Sequence, residues 1–147
     1  GDWLVHLLLL LPMLWWANAV AGLTPLHYLL GMRNVHDLMG HPNTGASWEG
    51  FCIEQICNHL PTGASVSFYR TAAGAELDVV VETGRETTGF EIKFSSAPKV
   101  SKGFWQACED IGVHKAYVMA PVQEGWAMAK DVQVVSPLDI PMLLSKP

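Results

Sequence analysis

The alternation of apolar and polar positions predicts two adjoining strands in the middle of the chain. Ala75-Glu76-Leu77-Asp78-Val79-Val80-Val81-Glu82 and Gly89-Phe90-Glu91-Ile92-Lys93-Phe94 both follow it. It is the period of a strand, in which successive side chains point to opposite faces. Leu77, Val79 and Val81 then share one face, and Asp78 shares the other with Glu76, Val80 and Glu82. In the second strand Phe90, Ile92 and Phe94 lie together, with Glu91 and Lys93 opposite. The polar link Thr83-Gly84-Arg85-Glu86 suits a hairpin with a slightly long loop. Paired in this way, the strands bring Asp78, Glu91 and Lys93 to one surface.

A helical period precedes them. Over Ser47–Leu60, at roughly 100° per residue, Cys52, Ile53, Ile56, Cys57 and Leu60 form an apolar stripe with Glu49 near its middle. Glu54 falls roughly 140° round from Glu49, so Glu49 is the carboxylate aimed at the sheet. A carboxylate buried alone is costly unless it is paired, protonated or metal-bound. Pro61 stops the helix.

Further along, Val66–Arg70 reads as a strand, Lys102–Ile111 as a helix with Phe104, Trp105, Ala107 and Cys108 apolar, and Lys115–Met119 as a buried strand. Val132–Val135 reads as an edge strand and Pro137–Leu144 as a terminal helix. The order helix, three strands, helix, strand predicts an α/β fold. An antiparallel meander is joined by a strand returning parallel after the helical crossover, giving a mixed β-sheet flanked by helices.

The amino end divides the chain into an apolar segment, residues 1–23, and an α/β domain, residues 24–147. Trp3–Leu23 is broken only by His6, Pro12 and Asn18. As one helix it would span about 31 Å, enough to cross a bilayer, but Pro12 kinks it and no basic residue precedes Arg33. Three readings stay open: a buried or dimer-forming segment, a membrane or targeting segment, or a boundary left by a missing domain. Short helices are predicted over Leu26–Leu30, after the Thr24-Pro25 start, and over Val35–Met39, capped by Asn34 and closed by Gly40.

Composition narrows the chemistry. The chain has 147 residues, half of them hydrophobic and 16% charged, which excludes a disordered chain and suits one domain. A net charge of −5 argues against a uniformly nucleic-acid-binding surface. Lys93, Lys99 and Lys102, with Arg70 upstream, leave a local basic strip, which can equally be solvated lysines. The three cysteines have no CxxC spacing and read as core thiols of a reducing, cytoplasmic compartment. There is no GxxxxGK[ST], GxGxxG or GxSxG and no HExxH, so ATP, dinucleotide, serine-hydrolase and histidine-zinc chemistry lack a motif in this chain.

An acid on the first helix, Asp78 on the second strand and Glu91-Ile92-Lys93 on the third together resemble the PD-(D/E)xK restriction-endonuclease-like fold. His41-Pro42, Gly45-Ala46-Ser47-Trp48-Glu49-Gly50-Phe51, Tyr69-Arg70-Thr71, Gly74-Ala75-Glu76-Leu77-Asp78 and Glu91-Ile92-Lys93 with Ser95 are similar, over roughly residues 23–140, to domain of unknown function 4143. That domain follows the ATPase module of prokaryotic AAA-type ATPases. The resemblance implies Glu49, Asp78, Glu91 and Lys93 as catalytic residues. Magnesium or manganese would be held by Asp78, Glu91, the Ile92 carbonyl and, through water, Glu49. Arg70, Lys99 and Lys102 would contact DNA phosphates. It implies a DNA endonuclease beside an ATPase or, alternatively, an inactive nuclease-like module for DNA binding, partner docking or homo-oligomerisation.

Overall fold

The computed structural model describes residues 42–145. The expectations for the apolar segment 1–23 and for the short helices at 26–30 and 35–39 lie outside those residues. The chain divides into two units between Cys52 and Ile53, inside the first described helix. No helix among the described residues is long and apolar enough to cross a membrane.

That helix, α1, covers Pro42–Asn58, with proline at its first position, where the missing N–H costs nothing. Among its described side chains Trp48, Phe51, Cys52 and Ile56 are buried. The tilted ring pair of Trp48 and Phe51 is 5.9 Å apart. Glu49 is exposed, which corrects its expected place on the buried stripe. The error is one of phase. Trp48 and Phe51 were left out of the stripe, while the exposed Cys57, and Leu60 beyond the helix end, were counted in. Centred on the residues that are in fact buried, Trp48, Phe51, Cys52 and Ile56, the apolar arc turns by roughly 100°, to a centre between Trp48 and Cys52, and leaves Glu49 on its flank.

Beyond α1 the chain builds a six-stranded sheet. The strands are β1 (Ser65–Arg70), β2 (Glu76–Thr83), β3 (Glu86–Ile92), β4 (Lys115–Met119), β5 (Trp126–Ala129) and β6 (Val132–Val135). Their spatial order is β1-β2-β3-β4-β6-β5. β1, β2 and β3 form the antiparallel meander, β4 joins β3 in parallel, and β6 joins β4 in parallel. The expected mixed sheet is therefore present. The β2–β3 loop is tighter than expected, because Thr83 pairs with Glu86 and only Gly84 and Arg85 turn the chain. Gly84, at φ 59°, takes the first loop position, as a type II′ turn requires. Val132–Val135 is an interior strand and not the edge, since β5 lies outside it.

The crossover between β3 and β4 is α2, Lys102–Asp110. The Ser101 hydroxyl caps it by accepting from the Phe104 N–H at 3.2 Å. At its end the Gly112 N–H donates to the Glu109 carbonyl and the Val113 N–H to the Cys108 carbonyl, the paired bonds of a Schellman stop. Phe104 and Ala107 are buried, and they pack with Leu77, Val80, Ala116, Val118 and Val134 in one cluster. Trp105 is 42% exposed, against the expectation that it lines the core; it touches Phe104 edge-on at 5.1 Å. A β-carbon on Gly103 would stand 2.0 Å from the Gly74 carbonyl oxygen, so only glycine lets α2 start this close to the β1–β2 turn. The carboxyl end is a short 3-10 turn, Pro137–Asp139, with a capping box on Ser136, followed by α3, Ile140–Leu144.

Candidate active site

The decisive local feature is an irregularity in β2. Ser67 pairs with Val80 and Tyr69 pairs with Leu77, so Asp78 and Val79 together face the single residue Phe68. This is a β-bulge, which re-aims side chains and recurs beside active sites. It shifts the phase of the strand. Leu77 and Val80, on either side of the bulge, belong to one cluster against α2, whereas Val79, within it, pairs with Phe90. The expected grouping of Leu77 with Val79 and Val81 is corrected accordingly.

The bulge lies where the β2–β3 pairing ends at Val79 and Phe90. Past that point the Asp78 carboxylate takes over from the ladder, its Oδ2 accepting from the Ile92 N–H at 2.8 Å. One residue earlier in β3, Glu91 pairs in register with Val118 of β4 and is only 7% exposed. Its Oε1 meets the Lys93 ammonium at 3.0 Å, and its Oε2 is buried with no hydrogen-bond partner. Lys93 is fixed through its backbone, whose N–H donates to the Met119 carbonyl at 2.9 Å, while its side chain stays 37% exposed. The structure thus brings Asp78, Glu91 and Lys93 together, as the strand pattern predicts.

The electrostatics mark a strained acidic pair. Burial pushes the Glu91 carboxyl above its ordinary range, and the Asp78 charge pushes it further, against the pull of Lys93. Burial likewise raises Asp78, opposed first by the Ile92 N–H and then by Lys93 and Arg70. Both carboxylates are therefore short of positive charge. Among the described residues no group of three or more His, Cys, Asp and Glu side chains gathers as a metal cage. Two carboxylates suit a hard ion that keeps most of its waters, such as magnesium. The orphaned Oε2 of Glu91 and the raised pKa of both carboxyls fit such an ion.

The remaining predicted residues are placed differently. Glu49 is exposed, on the part of α1 that belongs to the first unit. With burial as the larger cause, its charge helps hold the nearby Cys52 thiol well above its usual range. The Arg70 guanidinium is paired with Glu76, its register partner on β2. Lys99 and Lys102 are exposed, and neither makes an ion pair among the described residues. Two further residues couple electrostatically to the pair without being among the predicted candidates. Glu76 raises both carboxyls by its charge, and its position two residues before Asp78 was the available signal. Cys108 of α2 is pushed up to about 11 by burial and then by the Glu91 charge. Nothing in the sequence pattern marks Cys108, because helix and strand meet there only in three dimensions.

Comparison with known proteins places this geometry in a family. Two uncharacterised mycobacterial proteins, from Mycobacterium tuberculosis and Mycobacterium bovis, are each 35% identical to the chain over 114 residues. The aligned stretch covers 78% of this chain and 25% of each relative, so the chain spans about a quarter of the length of the proteins it matches. No solved structure matches. Residues 44–140, which include most of α1, the bulge and Glu91 to Lys93, match the family described as Domain of unknown function (DUF4143), and the chain belongs to that family.

Proposed function

We propose that this domain is a divalent-metal-dependent phosphodiesterase of PD-(D/E)xK type, acting on DNA and associated with an AAA-type ATPase. The observation that carries the reading is the meeting of Asp78 with Glu91 and Lys93 at the end of the β2–β3 pairing. Asp78 and Glu91 would hold the ion, joined in the PD-(D/E)xK pattern by the Ile92 carbonyl. When bound, magnesium or manganese supplies Lewis acidity that neutralises charge on a scissile phosphate and makes water a better nucleophile. Ile92 orients Asp78 by tying down Oδ2, which leaves Oδ1 for the cation. Lys93, reaching solvent from a fixed backbone, stabilises negative charge developing on the phosphate. Lys99 and Lys102, exposed on the loop before α2 and at its first residue, contribute phosphate contacts. Arg70 first has to leave Glu76 to do the same. The ATPase association rests on the resemblance over residues 23–140.

A second reading keeps the fold without the chemistry, as a module for DNA binding, partner docking or self-association. It is favoured by the two carboxylates' being already engaged internally, one by the Ile92 N–H and the other by Lys93. Incubation with linear, nicked and branched DNA in magnesium or manganese separates the two. The catalytic reading expects cleavage that Lys93→Ala and Asp78→Asn both abolish in folded protein. Cleavage of none of these substrates, or cleavage that survives both substitutions, rejects it.

A further inference from the structure

Lys93 stands on one of the two carboxylates that would hold the proposed ion. Its ammonium sits 3.0 Å from Oε1 of a glutamate that is 7% exposed, and it is the one cation in contact with either carboxylate among the described residues. The other oxygen of Glu91 has no partner. In the ion-free state this ammonium, helped at Asp78 by the charge of Arg70, offsets two crowded negative charges. A divalent ion held by Asp78 and Glu91 would repel the ammonium and compete with it for Oε1.

We propose that Lys93 is a built-in counter-cation that a divalent ion displaces from Glu91, so that metal binding and release of the lysine towards the phosphate are a single event. The inference rests on the metal-dependent reading above and adds regulation of that same site. Its consequence is that the lysine holds metal affinity down: the domain stays closed to the ion at low metal concentration, and its lysine is freed only once the ion is seated. The side chain is suited to this, since it is 37% exposed and its stem can swing into solvent without unpacking the core.

The test measures manganese binding to the full chain by calorimetry, without DNA, for wild type, Lys93→Met and Lys93→Arg. Removing the charge at near-constant stem length should tighten binding about tenfold or more, and keeping the charge should leave it near wild type. Binding by Lys93→Met alone, with none by wild type, also supports displacement. Equal or weaker binding by Lys93→Met, where wild type binds, overturns the displacement while leaving the metal site standing. Absence of binding in all three proteins removes the metal site and the displacement together. A measurement on the unaltered protein guards against misfolding of the variants. In a lysine-selective nitrogen spectrum the Lys93 ammonium signal should move with magnesium along the binding isotherm, and a signal unmoved at saturation overturns the proposal.

Discussion

Replacing Lys93 with methionine is the perturbation whose cost follows most directly from the geometry. It keeps most of the stem and removes the only ammonium on Glu91 among the described residues. Breaking a fully buried ion pair costs about 3–5 kcal/mol, because it strands a buried charge. An exposed pair is worth about 0–1 kcal/mol. Here the carboxylate is buried and the lysine is 37% exposed, so the cost at neutral pH falls between these limits, at about 1–3 kcal/mol. For a domain of this size that lowers Tm by roughly 3–10 °C. The pH dependence has a definite sign. The folded-state Glu91 carboxyl is raised above its ordinary value, so the native state holds its proton more tightly than the unfolded chain. Its contribution to stability is complete below the ordinary carboxylate range and is lost as pH rises through the folded value. Lys93 opposes that rise, so removing it widens the window and deepens the loss at neutral pH. Urea unfolding at about pH 4 and at pH 7.5 reads this out, with a small difference between variant and wild type at the lower pH and the full difference at the higher. Equal destabilisation at both values would refute the electrostatic account and leave only lost packing of the stem.

Two further predictions use the same geometry. Asp78→Ala leaves the Ile92 N–H without its acceptor, at a cost of about 1–3 kcal/mol, while Asp78→Asn keeps an acceptor and removes repulsion from Glu91. Chemical denaturation should therefore rank the asparagine variant above the alanine variant and at or above wild type. In a timed alkylation followed by mass spectrometry, the exposed Cys57 should react first. Cys108, half-buried and with its thiol pushed up to about 11, should lag well behind, and Cys52 should react last.

The sequence carried the sheet better than the helix. Strict alternation around Glu91 marks a strand whose charged side is costly, and the structure shows that cost in a buried, orphaned carboxylate oxygen. The meander and the parallel return follow from short links and one helical crossover, both legible as composition. The bulge was not legible. Leu77 to Val81 contains four apolar residues around Asp78, so a one-residue slip leaves the run equally hydrophobic and only the register against β1 reveals it. Yet that slip falls at Asp78 itself. β5 was missed because Trp-Ala-Met-Ala has no alternation and three of its four residues are exposed; the partner β6 defines it as a strand. Glu49 falls off the buried face because a helical stripe is a sum over its members, and omitting two aromatics while counting in Ile53, Cys57 and Leu60 turns the whole arc.

The central claim is that Asp78 and Glu91 form a place for a divalent ion beside Lys93. Crystals of the chain soaked in manganese and measured for anomalous scattering test it most directly. A peak within bonding distance of both carboxylates, with the Lys93 ammonium moved off Oε1, is the result expected. Saturating manganese that leaves no peak there, with the 3.0 Å Glu91–Lys93 pair intact, would contradict it.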